Sequence, residues 1–367
     1  MRWYPSGKLN FTAADLAVLS HPAFASKPWA GAGAGLRADP AYPPIPSALV
    51  FSLLAGPRES RPERMWKQYR KLLEIANDPA QYYVSHEIVQ HRKPRTISAP
   101  FYELAQYQRW ILKNILERAP TTDFAFAYKK GLTLADNARV HLGRSVIVKL
   151  DLVHFFDSIT FGMVYEVFAG QLRYPQETAV LLANLCCLNG RLPQGACTSP
   201  YLSNLCFAKA DGELAGYCRE KGLAYSRYSD DLTFSGDRID VKELIAFVRE
   251  TVKKYGFSLN YRKIHVDGKG RRHRVTGIVC NEKLNAGADY RRKVRQEIYY
   301  LRKYGAADHL QRRNDPAYRN ADGTLCVERY YAALLGRISF ILQVDPEQEE
   351  FWSYRDYVRD LMLRAAE

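Results

Sequence analysis

Two kinds of segment are missing from the 367 residues, and each absence excludes a class of protein. No run approaches the roughly 20 consecutive apolar residues that a bilayer-spanning helix needs, so a membrane partner is not expected. The start, Met1-Arg2-Trp3-Tyr4-Pro5, leads into no apolar stretch closed by small residues, so no secretory leader is expected either. Cysteine is sparse and poorly placed for cross-linking: seven residues, no Cys-x-x-Cys pair, and Cys186 directly beside Cys187. That pattern speaks against a disulfide framework or zinc cluster and for a reducing cytoplasm. Acid is in short supply. Fifty-three Lys and Arg stand against 39 Asp and Glu, a net charge of +14, which suits a polyanionic partner. A basic but otherwise ordinary soluble protein fits the composition equally well.

What is present is globular, with 47% hydrophobic and 25% charged residues in a chain long enough for two or three subdomains around a shared core. Residues 1–60 look different from the rest. Ala30-Gly31-Ala32-Gly33-Ala34-Gly35 is a flexible tract, and Pro40, Pro43, Pro44 and Pro46 follow it, so this part reads as an N-terminal extension and linker, helical near residues 13–19. Further on, Leu104, Ile111 and Ile115 recur at helical spacing and predict a helix over 102–118. Val146, Val148, Leu150 and Leu152 alternate with Ile147, Lys149 and Asp151, a strand with one fully apolar face. Asp240 with Glu243 marks a helix start and Gly256 its end, around a stripe of Val241, Leu244, Ile245, Val248 and Val252. Strands and helices mix without a βαβ rhythm, so the fold class is α+β.

Asp151 ends its strand on the face opposite the apolar row, where an acid needs water, a partner or a cation. Later, Tyr228-Ser229-Asp230-Asp231 lies between Leu223-Ala224-Tyr225 and Leu232-Thr233-Phe234, which reads as a hairpin with both acids at its tip. Adjacent carboxylates repel, and a bound divalent cation is a physical reason to crowd them. An isolated Asp-Asp pair is more often a plain turn. The strand and the hairpin side by side would bring Asp151, Asp230 and Asp231 together.

The order of the surrounding segments decides between these readings. Lys149-Leu150-Asp151-Leu152-Val153-His154-Phe155-Phe156-Asp157-Ser158-Ile159 resembles palm motif A of reverse transcriptases. Leu192-Pro193-Gln194-Gly195 with Thr198-Ser199-Pro200 is similar to motif B, and Tyr228-Ser229-Asp230-Asp231 to the Tyr-x-Asp-Asp box of motif C. The resemblance covers about residues 85–345. It implies a right-hand fold of fingers, palm and thumb, with fingers and palm interleaved over 61–282 and a nucleic-acid-binding thumb over 283–367. It also implies catalysis and metal binding by Asp151, Asp230 and Asp231, with two Mg²⁺ ions or Mn²⁺ as the alternative. Phe156 matches the aromatic gate against a 2′-hydroxyl, although an ordinary core Phe reads the same. Gln194 matches the contact to the incoming nucleotide, and the helix after it would start near Ser199 and Pro200. Lys263 in Asn260-Tyr261-Arg262-Lys263 resembles the motif D lysine near the pyrophosphate. Arg95, in His91-Arg92-Lys93-Pro94-Arg95-Thr96-Ile97-Ser98-Ala99-Pro100, resembles a fingers cation that holds the triphosphate, with an exposed cationic loop as the competing reading.

Two short segments narrow the resemblance to retron enzymes. Asn137-Ala138-Arg139-Val140-His141 resembles their Asn-Ala-x-x-His signature, and Val275-Thr276-Gly277 their Val-Thr-Gly signature. Asn137 and His141 would share a helix face suited to RNA, while a satisfied local hydrogen bond reads His141 equally well. Cys197 and Ser229 depart from the family pattern, which has proline and commonly alanine there. Residues 261–313 hold fifteen Lys or Arg against five Asp or Glu. Tyr290, Val294, Ile298 and Leu301 form an apolar stripe there, and Arg291, Arg292 and Arg295 lie off it as RNA-binding candidates. By resemblance, the partners are deoxynucleoside triphosphates, a cognate noncoding RNA and its branched DNA product, host RNase H, and a separately encoded anti-phage effector. Too few residues follow Pro346 to supply a nuclease. The rival readings are a non-retron bacterial reverse transcriptase (intron-derived, diversity-generating or defence-associated) and an RNA-binding scaffold with a vestigial polymerase site.

Overall fold

The computed structural model describes residues 42–57, 61–90 and 93–364. The helix expected near 13–19, the Ala-Gly tract, and His91 and Arg92 lie outside them. In chain order the helices and strands are α1 (Ala48–Ala55), α2 (Pro62–Asn77), β1 (Tyr83–Gln90), β2 (Lys93–Pro100), α3 (Tyr102–Asn114), α4 (Leu134–Arg139), β3 (Val146–Asp151), α5 (Phe155–Ser158), α6 (Phe161–Glu166) and α7 (Gln176–Cys186). There follow α8 (Ser199–Glu220), β4 (Ala224–Tyr228), β5 (Asp231–Gly236), α9 (Val241–Lys254), β6 (His265–Asp267), β7 (Arg274–Val275), β8 (Ile278–Val279), α10 (Ala288–Arg313), α11 (Val327–Val344) and α12 (Glu349–Arg364). The mixture is α+β, as the patterning implied. No described helix is long and apolar enough to cross a membrane.

The centre is a four-stranded antiparallel sheet in the order β4-β5-β3-β6. Val148 and Leu150 on β3, with Leu152 just after it, enter the main hydrophobic cluster with α3, α7, α8 and α9. Ile147, on the opposite face, joins a smaller cluster with Ala135, Ala138, Val275 and Ile278. The strand is therefore buried on both sides for most of its length, and Asp151 at its end is itself only 7% exposed. β1 and β2 form a separate two-stranded ribbon. The C-terminal helices α10–α12 build their own cluster around Val294, Ile298, Leu301, Leu334, Ile338 and Phe351. Phe340 touches both that cluster and the small one under β3.

The helix at α9 has the ends its sequence implied: Asp240 accepts from the Glu243 amide at 3.0 Å, and Gly256 follows at φ +81°. Two expectations need correction. Residues 42–57 are not linker. Tyr42, Ile45, Ala48 and Phe51 sit in the main cluster. The Ile45 carbonyl also accepts from Thr178 Oγ1 at 2.7 Å. Pro43, Pro44 and Pro46 lie in a strap held against α7 rather than in a free tether, because Leu49-Val50-Phe51 just after them supplies apolar surface to bury. At α8 the residue before the helix is Thr198, which makes no side-chain cap bond, and the buried hydroxyls of Thr198 and Ser199 find no partner among the described residues. Pro200 at the first turn starts this helix without help from a cap.

Candidate active site

The hairpin β4–β5 closes so tightly that Tyr228 faces Asp231 across it, leaving Ser229 and Asp230 as the turn. Such a turn needs positive φ, and Ser229 adopts it at +59° without being glycine. What holds it lies behind. Arg227, fully buried, donates to the Ser229 carbonyl at 3.2 Å and to Asn204 Oδ1 at 3.1 Å. It also grips Asp211 with two parallel bonds of 2.9 and 2.7 Å. Asp211 accepts further from Tyr225 and Thr122, both at 2.8 Å. The carboxylate and guanidinium are thus matched and their remaining polar atoms occupied, which is the condition under which a buried ion pair is tolerated.

In front of the turn the balance reverses. The register pairs Asp151 with Asp231, and the Asp230 carbonyl accepts from the Leu152 amide at 3.0 Å. The three acids are therefore neighbours in the backbone. Burial, then the charge of Asp151, raises the Asp230 carboxyl above its ordinary range. Asp231 stands at the exposed rim, yet surrounding protein, Asp230 and Asp151 push it up to about 6. Lys263 forms an ion pair with Asp151, and Asn260 Nδ2 lies 3.4 Å from the same carboxylate.

Two of the three acids open into a cleft of about 780 Å³. Asp151 and Asp230 line it; Asp231 does not. Arg95, Phe156, Gln194 and Lys263, assigned to the nucleotide by resemblance, all line it too. The motif B loop reaches it by close contact with β2: the Gln194 carbonyl accepts from the Ser98 amide at 2.7 Å. Gly195 beside it has φ +129°, and a Cβ there would come within 2.5 Å of the Ser98 carbonyl oxygen, so only glycine lets loop and ribbon meet.

Among the described residues no three His, Cys, Asp or Glu side chains are gathered as a ready cation cluster. The donor set nonetheless fits a hard divalent ion. Asp151 and Asp230 offer carboxylate oxygens in one cleft, where a cation would offset the burial that chiefly raises Asp230 and the charge of Asp151 beside it.

The RNA-binding candidates are divided. His141 is corrected: it is fully buried, and its ring nitrogens bond Ser226 Oγ and Ser235 Oγ, each at 2.7 Å, tying β4 to β5. Burial pushes its pKa down to about 3, so it is a neutral strut with no polar atom left for RNA. Asn137 and Val275 are each 1% exposed and present no surface either. Thr276, half-buried, donates to the Leu134 carbonyl at 3.2 Å, and Gly277 is exposed. On α10, Arg291 is half-buried and reaches Gln348 at 3.4 Å. Arg292 and Arg295 are exposed, pairing with Asp289 at 3.0 Å and Glu350 at 2.7 Å.

Tyr128, Asn260 and the Arg227–Asp211 pair belong to the site without having been singled out from the sequence. A charged Arg227 inside a strand with no other charged residue was the readable signal; Tyr128 carried none.

A family model described as reverse transcriptase (RNA-dependent DNA polymerase) matches residues 89–278. The chain is 32% identical to the retron Ec86 reverse transcriptase of Escherichia coli, over 63% of this chain and 73% of that protein. Two Myxococcus xanthus proteins, the retron Mx162 and Mx65 reverse transcriptases, are 33% and 31% identical over 73% and 70% of this chain. The matches cover 59% and 60% of their lengths, so this chain spans less than two thirds of either. A solved apo telomerase from Candida tropicalis overlaps 56% of this chain and 55% of that one at 12% identity and a TM-score of 0.40, too distant to carry an argument.

Proposed function

The chain belongs to the reverse transcriptase (RNA-dependent DNA polymerase) family, in its retron branch, and from that premise we propose that it copies a cognate structured noncoding RNA into a branched RNA–DNA hybrid. The observation that carries this reading is the convergence of Asp151, Asp230, Arg95, Phe156, Gln194 and Lys263 on one cleft, although they come from five separate stretches of sequence. The ribbon β1–β2 serves as fingers, the central sheet as palm, and α10–α12 as thumb.

Within the cleft, Arg95 and Lys263 bind the triphosphate, and Gln194 contacts the nucleotide as it docks against the motif B loop. Phe156 fills the space that a ribose 2′-hydroxyl would need. Asp151 and Asp230 hold the metal ions, with Asp231 adding negative charge at the rim. When bound, two Mg²⁺ ions (or Mn²⁺) supply Lewis-acid help to the attacking hydroxyl and the leaving pyrophosphate. Arg292 and Arg295 contact the RNA backbone, with Thr276 and Gly277 at the exposed edge of β7–β8. The first primer is a guanosine 2′-hydroxyl of the RNA, with host RNase H trimming the template and a separate effector protein completing a cytoplasmic anti-phage system.

The test is the nucleic acid that co-purifies when the gene is expressed with its flanking DNA. A discrete DNA band that shortens after RNase and debranching treatment, and is absent from Asp230→Asn, is expected. Only RNA in both preparations would overturn the retron reading and favour a scaffold. Template-general synthesis without a branched product would favour a non-retron polymerase.

A further inference from the structure

Tyr128 has no role in the account above, yet it stands between the parts that do. Its φ is +64°, a left-handed conformation that a bulky side chain adopts only under constraint. The constraints are visible on both sides. The Ala127 carbonyl accepts from Asn204 Nδ2 at 2.8 Å, and Lys129 Nζ donates to the Thr122 carbonyl at 3.0 Å. The Phe126 amide donates to the Arg227 carbonyl at 2.9 Å. The loop is thus fastened to the same Arg227–Asn204 network that holds the Asp230 turn.

So fixed, the side chain makes two contacts. Its hydroxyl shares a hydrogen bond of 3.0 Å with Ser229 Oγ, inside the turn that carries Asp230. Its ring lies 6.4 Å from that of Phe156, whose other neighbour, Phe155, packs edge-on at 5.7 Å. Phe155 is buried against Phe207 and Phe257. Phe156 is therefore bracketed by a buried ring and by Tyr128. Tyr128 also lines a second cavity, of about 340 Å³, with Lys129, Cys197 and Tyr201. It thus lines both spaces, and its removal would open room into which Phe156 could swing.

We infer that Tyr128 is a positioning residue for sugar selection: its ring holds Phe156 against the nucleotide, and its hydroxyl ties that gate to the aspartate turn. The inference rests on Phe156 being the group that excludes the 2′-hydroxyl. A gate discriminates only as well as it is held still, since a ring free to change rotamer admits the larger sugar. The tie depends on the Ser229 hydroxyl, since an alanine at that position would have no oxygen to offer.

Single-nucleotide incorporation on a primed template, with a deoxynucleotide and the matching ribonucleotide, tests this on the full chain. The readout is the ratio of the two kcat/KM values, which a general loss of folded enzyme does not change. Tyr128→Ala is expected to lower the preference for the deoxynucleotide about tenfold, the size of effect that a changed pocket wall produces. Tyr128→Phe, which keeps the ring, should hold the ratio near wild type while weakening incorporation of both nucleotides. Phe156→Ala is the control and should lose more selectivity than either. If Phe156→Ala relaxes selection and Tyr128→Ala does not, the role given to Tyr128 is wrong. If neither relaxes it, the gate reading of Phe156 itself fails. Should Tyr128→Ala not fold, as judged by thermal melting, Tyr128→Leu keeps part of the apolar bulk without the flat ring and decides the question in the same way.

Discussion

Asp211 and Asp230 lie on opposite sides of one hairpin turn, and the difference between them separates the structural region of this site from its working region. Behind the turn, Asp211 receives two bonds from Arg227 and one each from Tyr225 and Thr122. In front, Asp230 neighbours Asp231 and meets Asp151, and its carboxyl is raised by burial and then by the charge of Asp151. A protein that spends a buried arginine on one carboxylate and leaves the neighbouring acids with a single lysine has concentrated uncompensated charge in the cleft. Such concentrations mark sites where a ligand completes the balance.

The comparison breaks most visibly if both acids are neutralised in turn. Asp211→Asn leaves Arg227 buried beside a group that no longer carries charge, and it should cost about 3–5 kcal/mol of folding stability by denaturant titration. Asp230→Asn removes repulsion instead, so its melting temperature should equal or exceed that of wild type although polymerisation is abolished. A stability loss at Asp230 equal to that at Asp211 would mean that the two regions do not differ in the way described.

His141 sharpens the same contrast away from the cleft. Its two hydrogen bonds to Ser226 and Ser235 make it part of the structural region despite its position in a signature read as RNA-binding. His141→Ala should cost about 1–3 kcal/mol, the penalty for leaving buried polar partners unmade. The affinity of the folded protein for its RNA should be unchanged. A binding loss without a stability loss would return His141 to the RNA interface.

The working region was the more legible of the two in the sequence. Asp151, Gln194, Asp230 and Lys263 stand in short segments whose order along the chain carries the information, and all four line one cleft. The structural region is built from contacts between distant positions that no local pattern encodes. Nothing near Asp211 announces Arg227, and nothing near Tyr128 announces Phe156. His141 misled because four-residue spacing predicts a shared helix face, whereas α4 ends at Arg139 and His141 turns inward beyond it. The strap at 42–57 was missed because prolines and a short apolar run have no period to read. It becomes structure only against α2, α3 and α7.

Asp231 offers the finest division, since it sits at the boundary between the two regions, exposed at the rim yet raised to about 6 by burial, Asp230 and Asp151. A carboxyl with a folded pKa above its unfolded value of about 3.9 is more readily protonated in the folded state. Its stabilising contribution is therefore complete below pH of about 4 and is lost as pH rises through about 6. Exposure lets water screen the interaction, so the change is small and is best read as a difference. The melting temperature of wild type relative to Asp231→Asn should fall between pH 4 and 6 and then level off. Mg²⁺ should raise the wild-type melting temperature more at pH 7 than at pH 5, because protons and the cation compete for the same charge. A difference that stays flat from pH 4 to 7 would mean that Asp231 does not feel its two neighbours, and the uncompensated charge would then reside in Asp151 and Asp230 alone.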